Sequence, residues 1–187
     1  MKMIDQVYAA TIEYIDLMPK AKRKKYGQFF TSKETAVFMA DLFSIPKERS
    51  LLRILDPGAG SGILSVALLD RLESIDGINS VELVCYENNS DIIELLYSNL
   101  ELVRSQSAKN ISFEIITENY ILSQVLDYND AFWANPTTNK FDMVIGNPPY
   151  MKIAKNAPES VAMSNICYGA PNLYFLFAAM SMFNLKD

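Results

Sequence analysis

Two hydrophobic periods alternate along this chain. Short, nearly continuous apolar runs occur at "LLRILD" (51–56), "VELVCYE" (81–87), "ISFEII" (111–116) and "FDMVIG" (141–146). Such runs predict strands buried on both faces. The segments between them repeat apolar residues every three or four positions, which predicts amphipathic helices. Residues 3–18 would bury Ile4, Val7, Tyr8, Ile12 and Ile15. Helix 33–44 would bury Ala36, Val37, Ala40 and Phe43, with Thr31 and Glu34 as its capping box. Helix 62–73 follows the first strand, and helix 90–103 follows the second with Ile93, Leu96, Tyr97 and Leu100 on one face. A short helical patch is expected near 120–127, a loop over 151–171 and a last helix over 172–185. Strand–helix alternation with two-sided strands implies an α/β fold: a doubly wound, mostly parallel sheet. The loop after Tyr150 is longer than compact domains usually carry without function, so a flap over a site is expected there.

Composition sharpens this. Half of the 187 residues are hydrophobic and 21% are charged, which places the chain among globular proteins. The longest apolar stretch, "LYFLFAAMSMF" (173–183), is well short of the ~20 residues that span a bilayer. Acidic residues interrupt the N-terminal pattern, unlike a secretory signal. Cys85 and Cys167 show neither disulfide-framework nor metal spacing, and an intracellular, cytoplasmic location is expected. Histidine is absent, which removes Ser-His-Asp and Cys-His nucleophiles, His-liganded metals and a histidine base. No metal is expected, and no membrane partner. Net charge is −5, poor for binding phosphates unaided, yet "KAKRKK" (20–25) packs five of the 17 basic residues together. That run reads either as a solvated linker or as a phosphate-contacting edge.

Two stretches carry chemistry. "DPGAGSG" (56–62) falls where the first strand meets the next helix. Gly58, Gly60 and Gly62, around Ala59, allow a tight turn and close ligand approach, and the helix N-terminus attracts an anionic group. The G-x-G-x-G spacing matches neither dinucleotide nor phosphate loops, and no lysine is present to meet phosphates. Asp56 suits a cationic group such as an ammonium. Glu87 ends the second strand, where doubly wound folds take ribose hydroxyls. Together they suggest a nucleoside carrying an amino-acid group. The second stretch is "DMVIGNPPYM" (142–151), an apolar run that stops on a rigid Asn-Pro-Pro-Tyr step.

With "GQFFT" (27–31), "DPGAGSG", "YENN" (86–89) and "NPPY" (147–150) in this order, and "NLYFLF" (172–177) after them, the chain resembles class I S-adenosylmethionine-dependent methyltransferases with a Rossmann-like sheet. More narrowly it resembles the adenine-specific DNA methyltransferases of restriction–modification systems. The resemblance implies that Phe29, Phe30 and Thr31 cover the methionine end of the cofactor. Asp56, Gly58 and Gly60 would line the methionine and its ammonium, with Ala59 and Gly62 completing the loop. Glu87 would hold the ribose hydroxyls and Asn88 would lie against adenine. Where that family often has Asp-Phe, this chain has "ENY" (118–120). Asn119, next to Tyr120, could accept the adenine amine through its amide oxygen, with Glu118 as the competing acceptor.

The resemblance also makes sense of Asn-Pro-Pro-Tyr. An adenine amino group is a weak nucleophile because its lone pair is delocalised. Two fixed acceptors, the Asn147 side-chain oxygen and the Pro148 carbonyl, would localise it, with Pro149 stiffening the step. Tyr150 would stack on a base flipped from double-stranded DNA. Residues 1–25 are expected to form an N-terminal helix and basic linker, and 26–187 a catalytic domain. Four strands against the seven of such folds suggest a sheet incomplete at its C-terminal edge and a fragment lacking its base-reading part. Restriction or specificity domains or subunits would be further partners. The alternatives are a methyltransferase for glutamine amides or RNA base amines, and a cofactor-binding fragment inactive alone.

Overall fold

Strands β1 (Leu51–Asp56), β2 (Ser80–Tyr86), β3 (Asn110–Ile116) and β4 (Met143–Val144) pair in parallel in the order β3-β2-β1-β4. The structure, a computed structural model, describes residues 2–20, 30–46, 48–130, 140–167 and 169–186. Asp56 lies opposite Cys85 and Leu55 opposite Val144, so β1, β2 and β4 end along one edge. The chain leaves β1 toward β2 on one side and returns to β4 on the other. That reversal is where open α/β sheets form their ligand crevice.

Packed layers lie on both sheet faces, which explains the nearly continuous apolar runs, although Ser112 and Glu114 of edge strand β3 reach solvent. Helices α1 (Met3–Leu17), α2 (Lys33–Asp41), α3 (Ile63–Leu72) and α4 (Ile93–Gln106) contribute Ile4, Val7, Ala36, Leu68 and Leu96 to one core, against Leu52, Ile54 and Leu83. On the opposite face Leu55, Val84 and Val144 meet Tyr120, Ile121 and Met163. Leu176 and Met180 join them from the last helix. That layer consists of a 3₁₀ turn (Leu122–Gln124), α5 (Val125–Asp130), α6 (Pro158–Ala162) and α7 (Leu173–Asn184). Among the described residues no helix is long and apolar enough to cross a membrane.

Several sequence expectations shift. In α1, Thr11 is buried in place of Ile12, which is 37% exposed. The Thr11 hydroxyl donates to the Val7 carbonyl at 2.8 Å, so its burial leaves no unpaired polar atom. Asp70 of α3 accepts the Ile4 and Met3 N–H groups and so caps α1 from another helix. Ser32, not Thr31, caps α2, accepting from Thr35 N at 3.2 Å. In α4, Asn99 takes the inward position and Tyr97, 53% exposed, lies edge-on to Phe113 instead. The expected strand 141–146 contracts to Met143–Val144, because Asp142 turns back to accept Arg53 N at 2.7 Å. Phe141 forms a separate parallel bridge to Leu185. The expected loop 151–171 contains α6 and packs Met163 into the second core. Of the basic run 20–25 only Lys20 is described; the rest lies outside the described residues.

Candidate functional site

The turn after β1 is held by its neighbour strand. Ala59 N donates to the Tyr86 carbonyl at 3.0 Å, and Gly60 N to Glu87 Oε2 at 2.9 Å. Glu87 Oε1 accepts Asn89 N at 2.8 Å. One carboxylate thus sets the spacing between the glycine turn and the end of β2. Burial raises the Glu87 carboxyl above its ordinary value, against the N–H groups of Asn89 and Gly60. From α4, Asn99 donates to the Ser61 carbonyl at 2.8 Å and pins the turn from below. Gly62 begins α3 at φ 80°, and a Cβ there would lie 2.8 Å from Leu96 Cδ1. Its requirement is conformational and steric: it is buried and lines neither cavity described below.

Two adjoining cavities open at this edge. The larger, of about 210 Å³, is walled by Gly58, Gly60, Glu87, Asn88, Asn119 and Asn147, among others. The smaller, about 50 Å³, lies between Phe30, Thr31, Ala59, Ser61 and Asn147. Glu87, Asn88, Gly58, Gly60, Ala59, Phe30 and Thr31 are thus brought to one site. Phe29 lies outside the described residues.

Asp56 lies deeper than the sequence pattern implies. It is 0% exposed and lines neither cavity; it sits behind the glycine turn. Ser65 Oγ donates to its Oδ2 at 2.7 Å, so it ties the turn to α3. Burial pushes its carboxyl up to about 7 from 3.8, against the hydrogen bond from Ser65. The fold therefore favours the neutral acid. That stabilisation is complete below the unfolded value of 3.8 and is lost as pH rises through about 7. Replacing Asp56 with asparagine is expected to flatten the decline in Tm between about pH 4 and 8, as linkage requires. An unchanged slope in thermal denaturation across that range would show that Asp56 does not carry the dependence.

Asn147 lies on the walls of both cavities. Its Nδ2 donates to Thr31 Oγ1 at 3.3 Å, the contact that the shifted α2 cap leaves Thr31 free to make. Neither Asn147 Oδ1 nor the Pro148 carbonyl has a hydrogen-bond partner among the described residues. Gly146 allows this approach: a Cβ there would lie 3.0 Å from Pro57 Cδ. Pro149 borders the larger cavity, whereas Tyr150 is 65% exposed and stacks on Tyr174 with centroids 4.8 Å apart.

At the far end of the larger cavity, the amide oxygen of Asn119 accepts Ile121 N and Leu122 N, each at 3.1 Å. The sequence reading offered that oxygen to a ligand amine; here it caps the turn after β3. Exposed Glu118 keeps its carboxylate at the cavity wall, with no hydrogen bond among the described residues. Tyr120 is buried between Tyr86 and Phe177, and all three border the cavity. The sequence reading missed Tyr86, Asn89 and Phe177 as individual wall residues. Tyr86 and Asn89 stood within "YENN" and Phe177 within "NLYFLF", but nothing in periodicity distinguishes a wall aromatic from a core one.

The sheet order, the glycine turn after its first strand and the acid closing the second define the class I S-adenosylmethionine-dependent methyltransferase fold. A solved class I methyltransferase from Listeria monocytogenes superposes with a TM-score of 0.58 at 16% identity, covering 88% of this chain and 47% of that one. The chain belongs to the Eco57I restriction-modification methylase family, whose family model matches residues 15–187. It is 29% identical to the type II methyltransferase M.PstI of Providencia stuartii, over 99% of this chain and 35% of that protein. It is 31% identical to M.BsuBI of Bacillus subtilis, over 90% of this chain and 33% of that protein. The chain thus spans about a third of the length of these curated relatives. Family and fold imply S-adenosylmethionine as the cofactor. The residues fit it. Among the described residues Asn89 Nδ2, Ser61 Oγ and Asp56 Oδ1 are buried without hydrogen-bond partners, and Asn89 and Ser61 each line a cavity, where a polar ligand would satisfy them. Among the described residues no cluster of three or more His, Cys, Asp or Glu could hold a metal ion.

Proposed function

We propose that this chain carries the cofactor-binding and catalytic core of an adenine-specific DNA methyltransferase of a restriction–modification system. The observation that carries the reading is the place of Asn147, on both cavity walls with its amide nitrogen on Thr31 and its oxygen unpartnered among the described residues. S-adenosylmethionine, when bound, supplies an electrophilic methyl group. Glu87, Asn88 and Asn89 would hold its nucleoside part, with Tyr86 and Phe177 against the adenine and Glu118 as acceptor for the adenine amine. Phe30, Thr31 and the turn Gly58–Ala59–Gly60 would hold its methionine part. Asn147 Oδ1 and the Pro148 carbonyl would accept the two N–H bonds of the substrate amine and localise its lone pair. Proline removes freedom from that carbonyl, so little reorganisation remains at reaction. The proton leaves the methylated nitrogen to solvent, and no histidine is needed. Exposed Tyr150 would stack on the extruded base.

Incubation with methyl-labelled cofactor and duplex DNA tests the proposal. Label recovered as N6-methyladenine is the expected result. Label confined to protein glutamine or to RNA would sink it. Cofactor binding without transfer to any of these would mark the chain as a binding core that needs further polypeptide.

A further inference from the structure

The segment that follows Asn-Pro-Pro-Tyr is fastened to the cavity wall by a side-chain pair. Residues 151–167 form a strap over the second sheet face. Its N-terminal end is tied by main chain to the segment entering α7, Leu173 N to the Met151 carbonyl at 2.8 Å and Ile153 N to the Pro171 carbonyl at 3.1 Å. Its middle is anchored by buried Met163. From the first turn of α6, Glu159 accepts Asn119 Nδ2 at 2.8 Å. Among the described residues this is the only side-chain hydrogen bond from the strap to a residue lining the larger cavity.

The pair is chemically complementary in one direction only. Asn119 Oδ1 already accepts two turn N–H groups. Rotating the amide would face its NH₂ toward those two donors and its oxygen toward a carboxylate. The orientation is therefore locked, and only an acceptor at 159 satisfies the NH₂. A carboxylate at 119 would instead meet a like charge at hydrogen-bond distance. Asn119 borders the cavity and Glu159 does not. Whatever fills that end of the cavity packs against an amide whose other side holds the strap.

We propose that Asn119–Glu159 is a latch and Glu159 a positioning residue: through Asn119 it couples occupancy of the larger cavity to closure of strap 151–167, which begins beside the catalytic step. Coupling of this kind is reciprocal, so closing the strap tightens the ligand as filling the cavity closes the strap. The ligand's identity rests on the function proposed above; the latch itself rests on the hydrogen bonds.

Hydrogen exchange of the strap, with and without S-adenosylhomocysteine, tests it alongside calorimetric affinity. In the unaltered chain the ligand is expected to slow strap exchange. E159A and N119D are each expected to speed ligand-free strap exchange and weaken the ligand about tenfold, the scale of one charge-assisted hydrogen bond. The double variant N119D/E159Q should return both readouts close to the starting values. There the new carboxylate caps the turn and accepts from the new amide. A merely local structural role would leave ligand affinity in E159A unchanged and strap exchange indifferent to the ligand, and either result overturns the latch. Failure of the double variant to recover, or strap exchange indifferent to E159A, overturns the latch. If the chain binds no S-adenosylhomocysteine, the functional proposal falls and the coupling falls with it; binding with strap exchange indifferent to the ligand overturns the latch and leaves the functional proposal standing.

Discussion

Asn147→Ala is expected to lower methyl transfer by on the order of 10³-fold, as removal of one preorganised hydrogen-bonding group at a reacting centre does. Its affinity for S-adenosylhomocysteine should change little. The asymmetry follows from where the side chain sits. Its nitrogen makes one long hydrogen bond, 3.3 Å to Thr31, and its loss should cost no more than about 1 kcal/mol. Its oxygen has no hydrogen-bond partner among the described residues, and the residue lines both cavities. Deleting it would remove the interaction proposed with the substrate amine and leave the cofactor walls in place. Single-turnover transfer and calorimetry on the same preparation separate the two effects. Parallel loss of transfer and binding would show that Asn147 shapes the cofactor site and does not act on the amine.

Glu87→Ala is expected to do the reverse, raising the dissociation constant for S-adenosylhomocysteine by roughly 10²-fold, the loss expected when a charged hydrogen-bonding group is removed. Its two carboxylate oxygens hold Gly60 N and Asn89 N, on two different turns, and the group still faces the larger cavity. Alanine would leave both N–H groups unpaired and release the register between the glycine turn and the end of β2. A fall in stability of about 1–3 kcal/mol should accompany it, the usual cost of stranded buried donors. Glu87→Gln keeps an acceptor for one of these N–H groups and should fall between alanine and the unaltered chain. Wild-type affinity in Glu87→Ala would remove Glu87 from the ligand site and leave it only a structural tie.

Much of this molecule was legible before folding was considered. Strand positions followed from apolar runs, because strands packed between two layers keep polar residues to the few positions, such as Glu82 and Glu114, that reach solvent. The turn at 56–62 and the step at 147–150 were legible because each demands residue types that nothing else demands: glycines where φ is positive, prolines where extension must stop. Helix faces were less legible. Thr11 and Ile12 exchange places because a threonine can satisfy its hydroxyl within its own helix. Periodicity scores hydrophobicity and does not register that local bond.

The site divides in the same way. By itself the sequence determined which chemistry is present: an acid at the end of β2, a glycine turn at the end of β1, two rigid acceptors at the end of β4, and no histidine. These are local matters of residue type and spacing. Only the tertiary structure decided which groups line the cavities. Asp56 proved to be buried behind the turn, since β1 is central and its terminal side chain points into packed protein. The Asn119 oxygen proved to be committed to two N–H groups. Thr31 met Asn147 across 116 positions of chain. Side-chain direction and long-range pairing depend on how layers pack against one another, and no local pattern along a single chain encodes that.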